Sequence, residues 1–318
     1  MPYTQLVGGS NPSPVIDALF TECVFALIGV LLPLKMVVSI VVSDNEGDGM
    51  DLTLLIWYFF FYSILGYIVE VLYCSIRQGT LVNRGFLHGP YLPIYGFGAV
   101  LVIFVFAGIT SNPLILFFIA VIGTSILEYA TGYLAETLFS IRLWDYSSTR
   151  FNLKGRVCLL NSTLFGLLSL FVTYGVHPHL SAIFDHFTPA FMEHGAKIII
   201  VLLSVDTTSS VLRMSAFQKQ LADFKEKKRE IESRLKVLRE FRENKMLEGL
   251  RVKLDTELDE LKMRLSISAK RILHAFPSLT SSNEEKRLLL ETLRKTIREI
   301  ALHKKLHNNK HRSDKRDD

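Results

Sequence analysis

Four carboxylates, Glu70, Glu128, Glu136 and Asp206, fall inside stretches that are otherwise apolar, and Arg77, Arg84, Arg142 and Arg156 fall where those stretches end. An acid held in hydrocarbon costs about 2.5–3.5 kcal/mol on insertion scales, so it is retained where it is paired or where it binds something. The chemistry open to such a set is the capture of a cation or a small polar solute. Glu128, Gly132 and Glu136 follow an i, i+4, i+8 spacing, which puts both carboxylates on one side of a helix. Pairing of Glu70 with Arg84 and of Glu136 with Arg156 would serve structure alone. Glu128 and Asp206 are harder to explain that way, because both are expected near mid-depth, where no arginine stands. Asn161, about one turn inside its own apolar stretch, completes the candidate cavity set.

These side chains need elements to hold them, and the composition says which. Mean hydropathy is +0.28, with 49% hydrophobic residues beside 36 Lys+Arg and 31 Asp+Glu. So many charges in so apolar a chain must be segregated. Residues 216–318 carry 27 basic and 18 acidic residues, leaving 9 and 13 in residues 1–215. The first two thirds read as a membrane domain and the last third as a basic appendage.

Apolar runs long enough to cross about 30 Å of hydrocarbon are Leu52–Ile76, Pro90–Thr110, Pro113–Phe139, Val157–Val176 and Ala196–Met214. Cys23–Val42, interrupted by Pro33 and Lys35, is a sixth candidate. The fold class is therefore all-α, a polytopic bundle of five or six spans followed by a cytoplasmic helical tail. Residues 77–89 and 140–156 carry the loop arginines, so the positive-inside rule puts both loops, and by parity the tail, in the cytoplasm.

Those two loops are unusual in themselves. Residues 83–98 crowd Asn83, Arg84, Gly85, Gly89, Pro90 and Tyr95 against the mouth of a span, and residues 140–162 bring Trp144, Asp145, Tyr146 and Arg156 to the neighbouring hairpin. Together they could gate a cavity open to the cytoplasm, or act as interfacial anchors, for which their aromatic rings are suited.

The order of these motifs carries a resemblance. Glu70, then Asn83-Arg84-Gly85-Phe86-Leu87, Gly89-Pro90-Tyr91 and Pro93-Ile94-Tyr95-Gly96, then Leu127-Glu128-Tyr129, Gly132-Tyr133 and Glu136 stand in sequence. Trp144-Asp145-Tyr146-Ser147, Phe151-Asn152, Gly155-Arg156, Cys158-Leu159 and finally Asp206 follow. The stretch 55–210 resembles the type IV ABC-transporter permease family of the CmpB type. It departs from that pattern at His88, Leu92 and Ser148-Thr149-Arg150. The resemblance implies a multi-pass permease-like protein of the bacterial plasma membrane.

No GxxxxGK[ST] loop occurs, so an ATPase would have to be a separate chain, and no nucleophile constellation marks the protein as an enzyme. No cofactor is expected. Cys23, Cys74 and Cys158 all lie in apolar stretches and read as packing residues. Histidines 177, 179, 186 and 194 on one expected loop, and 303, 307 and 311 at helical spacing, lack the companions a metal site wants.

Four units result: an N-terminal segment 1–50, a permease-like domain 51–215, a coiled-coil region 216–276, and a short helix with a disordered basic end at 277–318. In the coiled-coil region apolar residues at 217, 221, 224, 231, 235 and 238 form a heptad seam that slips near 241–250 and resumes at 254. The seam implies a partner helix, either a second copy of the chain, making a homo-oligomer, or the tail folded on itself. Interleaved acids and the lack of a stacking platform argue against nucleic acid; the lipid bilayer is the expected surrounding.

Overall fold

The computed structural model describes residues 52–79, 85–240, 245–276 and 278–314. The candidate span 23–42, Asn83 and Arg84 lie outside the described residues. Helix α1 is Leu52–Gln78, α2 Pro93–Val100, α3 Ala107–Ile109, α4 Pro113–Phe139, α5 Leu159–Leu170, α6 His177–Phe184, α7 Pro189–Glu240, α8 Lys245–Ala275 and α9 Glu284–Asp314. Two-residue strands β1 (Asn152–Leu153) and β2 (Val157–Cys158) pair antiparallel between α4 and α5.

Among the described residues four helices are long and apolar enough to cross a membrane: Leu52–Ile76, Pro113–Phe139, Leu159–Phe184 and Pro189–Val237. The fifth expected span is shorter. Apolar helix there covers only Pro93–Ile109, because Gly89 and Pro90 belong to a folded strap and Pro93, which lacks an N–H, opens the helix at its first turn. Leu159–Phe184 is correspondingly longer than expected. His177 and Pro178, expected in a loop, continue it as α6, so the connection to α7 shrinks to residues 185–188.

The helices alternate in direction. The most extensive pairing is α1 with α2, which run antiparallel and meet at glycines: a Cβ on Gly66 would overlap Tyr95, and one on Gly96 would overlap Ser63 and the Phe59 carbonyl. At one end of the bundle Trp57 donates to the Met192 carbonyl at 2.9 Å and lies edge-on to Phe184. The other end collects His88, Glu136 and Asp206. Asn112 caps α4 by accepting from the N–H groups of Leu114 and Ile115, and Ser140, at φ 52°, ends it.

Two segments depart from α geometry, Leu101–Phe106 after α2 and Phe171–Val176 after α5, each a π-helical stretch within an apolar helix. They pack in one core, Ile103 of the first with Val172 of the second. Such wide turns recur at functional positions.

Helix α7 continues past its apolar part into the tail, where α8 turns back along it. Ile231 and Leu235 pack with Leu254, and Phe217, Leu221 and Phe224 with Leu265, Ala269 and Leu273. The seam that suggested a second copy is thus covered by α8 of the same chain. Helix α9, capped by Asn283 accepting from the Lys286 N–H at 3.1 Å, adds Leu290 and Leu293 to the same core and runs to Asp314, beyond the expected end near residue 306.

The tail is docked as well as folded. Arg142 and Thr280 exchange two backbone hydrogen bonds, at 2.8 and 3.0 Å, and the Ser281 hydroxyl donates to the Ser140 carbonyl at 3.0 Å. Phe139 and Ile141 join the tail core, so the turn after α4 is packed from both sides.

Candidate functional site

The four acids share one bundle but have four different fates. Asp206 is the anchor of the strap 85–92. Its carboxylate accepts from the backbone N–H groups of His88 at 2.9 and 3.0 Å and of Gly89 at 2.8 Å, from the Tyr91 hydroxyl at 2.6 Å, and from His88 Nδ1 at 2.9 Å. Ser210, one turn on, adds a longer bond at 3.3 Å.

Asp206, expected near mid-depth, stands on a helix that starts before its apolar run. Helix α7 begins at Pro189 rather than near Ala196, so about 25 Å of helix, at 1.5 Å per residue, precedes the acid. Asp206 therefore lies at the end of the bundle that holds the strap. Gly85, Gly89 and Pro90 belong to this strap. His88, a departure from the family motif, turns out to be a direct partner of Asp206, and only an acid in need of donors hinted at it.

Glu136 is clamped by two arginines. Arg156 reaches one carboxylate oxygen through Nη2 at 2.6 Å and Nε at 3.2 Å, and Arg142 Nε reaches the other at 3.1 Å. The Arg156 guanidinium also lies over the rings of Tyr129 and Tyr133, 5.1 and 5.3 Å from their centroids, and donates to the Tyr129 hydroxyl. Burial disfavours its charge, but the bonds to Glu136 outweigh this and hold the guanidinium above its ordinary pKa. Trp144 Nε1 fixes the Arg156 carbonyl at 2.8 Å. Asp145 serves its own loop, accepting from the Ser147 N–H and hydroxyl at 2.9 and 2.5 Å. Gly155, at φ 71°, allows the turn between β1 and β2.

Glu70 accepts from the Tyr95 hydroxyl at 2.6 Å and, more weakly, from the Cys74 thiol at 3.5 Å. Tyr95 comes from α2, brought within reach by the close approach at Gly66.

Glu128 differs from the other three. It is 4% exposed, accepts a hydrogen bond from the Tyr146 side chain, and keeps Oε2 buried with no hydrogen-bond partner. It lines a cavity of about 70 Å³ between α1, α2, α4 and α5, walled by Tyr62 and Gly66, Tyr95 and Gly98, Thr124, and Phe165 and Ser169. Both π-helical stretches contribute, through Val102 and Val172. Among the described residues no Lys, Arg or His lines this space. At about 30 Å³ per molecule it would hold about two waters.

Of the acids expected to line one cavity, Glu128 lines this one among the described residues. Glu136 and Asp206 are committed elsewhere, Glu70 faces Glu128 electrostatically without lining the space, and Asn161 is also not among the lining residues. Of the loop residues, Gly89 reaches Asp206, Tyr95 Glu70, Tyr146 Glu128 and Arg156 Glu136, whereas Trp144 and Asp145 hold the loop that carries Tyr146. Among the described residues no group of three His, Cys, Asp or Glu is placed to hold a metal. His186 and His194 instead bond to carbonyls one turn back.

Residues 57–211 match the model of a family described as Putative ABC-transporter type IV. The matched stretch runs from the first turns of α1 to just past Asp206 and contains all four acids. No curated protein and no solved structure matches the chain.

Proposed function

We propose, from the match of residues 57–211 to the type IV ABC-transporter family model, that this protein is the membrane permease subunit of an ABC-type transporter whose ATPase is a separate chain. It takes a cation or small polar solute into the cavity at Glu128. The observation that carries the reading is the Glu128 carboxylate, buried between four helices with one oxygen unpartnered beside a space large enough for a small solute.

Segment Pro93–Ile109 completes five crossings with the four longer helices. It runs antiparallel to α1, and at about 25 Å it approaches the hydrocarbon thickness. Arg142, Arg150, Lys154 and Arg156 then face the cytoplasm with the tail. The strap held by Asp206 and the loop held by Glu136 form the cytoplasmic side of the site.

A second reading, a membrane scaffold or sensor working through its tail, is favoured by the backbone bridge between Arg142 and Thr280. Both readings meet in one comparison. Cells producing only the Glu128→Gln protein, at wild-type level in the membrane, should lose the phenotype that the intact gene restores to a deletion strain. A Glu128→Gln strain indistinguishable from wild type sinks the permease reading. Loss of phenotype on removing residues 241–318 alone would favour the scaffold.

A further inference from the structure

A carboxylate in a membrane interior must be neutralised, because the cost of leaving it charged and unpaired falls on the fold. Glu136 achieves this with two guanidinium groups, and Asp206 is wrapped in four donors from the strap. Among the described residues Glu128 receives the Tyr146 bond alone, and no basic side chain lines its cavity.

A dehydrated metal cation fits this space poorly. Such ions take six or more oxygen ligands, and the wall beside Glu128 is largely aliphatic and aromatic. The nearby hydroxyls are engaged: Thr124 and Ser169 each donate to a carbonyl one turn back, at 2.7 Å. The Tyr95 hydroxyl donates to Glu70, and the Tyr62 hydroxyl bonds His177. A proton, by contrast, needs one lone pair, and Oε2 offers it.

We propose that Glu128 is a proton-binding site, its Oε2 taking a single proton and exchanging it with water in the cavity. On release the O–H bond breaks, its electron pair stays on the carboxylate and the proton passes to a water molecule; on uptake these changes reverse. The titratable groups around Glu128 are Tyr62 and Glu70 from α1, Tyr95 from α2 and Tyr146 from the loop after α4. Tyr146 donates a hydrogen bond to the Glu128 carboxyl, and Glu70 is the acid nearest to it in electrostatic terms. The proposal deepens the permease reading by naming the proton as the cation the site accepts.

The test is infrared spectroscopy of the full-length protein in detergent at neutral pH. A carbonyl stretch of a protonated carboxyl, moved by exchange into D2O, is expected in wild type and in Glu136→Gln and absent in Glu128→Gln. No such band in wild type, or one that survives in Glu128→Gln, overturns the proposal. Glu128→Asp guards against a variant that does not fold, since it should move the band rather than remove it. Mass spectrometry after treatment with dicyclohexylcarbodiimide should find the adduct on Glu128, and a peptide recovered unmodified contradicts the site. The band with an unaffected Glu128→Gln phenotype would leave the proton site standing and the permease reading fallen. A lost phenotype without the band would mean the reverse.

Discussion

The Asp206 carboxylate accepts from the backbone N–H of Gly89 at 2.8 Å, across 117 positions of sequence. With the other bonds to His88 and Tyr91, this one acid sets the path of the whole strap between α1 and α2. Hydrogen bonds to a charged group contribute roughly 1.5–3 kcal/mol each. Asp206→Ala should lower the unfolding midpoint in detergent and speed amide exchange selectively in residues 85–92. Unchanged exchange there would mean that the strap is held by something else.

Removing Arg156 leaves Glu136 with Arg142 alone and strips the loop of its contacts to Tyr129 and Tyr133. Breaking one side of a fully buried pair costs about 3–5 kcal/mol; this pair is only partly buried and Glu136 keeps Arg142, so Arg156→Ala should destabilise by less than that. Glu136→Gln combined with Arg156→Gln should cost less than the sum of the single changes. A double-mutant cycle in chemical denaturation measures this, and strict additivity would deny the pairing.

The tail core is intramolecular, and Leu293 is fully buried in it. Leu293→Ala should cost about 2–5 kcal/mol. A protein cut after Glu240 would lose the cover of α8 and expose the stripe Phe217, Leu221, Phe224. It should self-associate in light scattering where the intact chain does not, and an intact chain already associated through that stripe would refute the packing.

Hydrogen bonding from Lys225 holds the Glu285 carboxyl below its usual pKa, against a smaller opposing effect of burial and with Arg229 adding attraction. A carboxylate with a lowered folded-state pKa stabilises above its unfolded value, and that contribution is lost as pH falls through the folded one. The difference in unfolding midpoint between wild type and Glu285→Gln should therefore shrink on acidification through and below the ordinary carboxylate range. A difference that grows would reverse the sign of the interaction.

Much of this arrangement was legible in the chain. Hydropathy located the long helices, and the loop arginines pointed to the partner of Glu136, because a charge in an apolar run needs a counter-charge that few positions can provide. The start of α7 at Pro189 is not legible, since the apolar core of the helix is shorter than the helix itself. The attachment of the strap to Asp206 is not legible, because it is made largely by backbone N–H groups, which every residue but proline carries and which leave no mark in composition. The seam of the tail left its partner open, as apolar spacing specifies a facing helix but not the chain that supplies it.

The central claim is that the space beside Glu128 lies within the bundle and is reached by water. In a protein whose native cysteines are replaced, Ser169→Cys in the cavity wall should react in intact membranes with a small water-soluble thiol reagent. Val201→Cys, on the exposed face of α7, should not. A Ser169→Cys thiol as inert as that control would contradict the account.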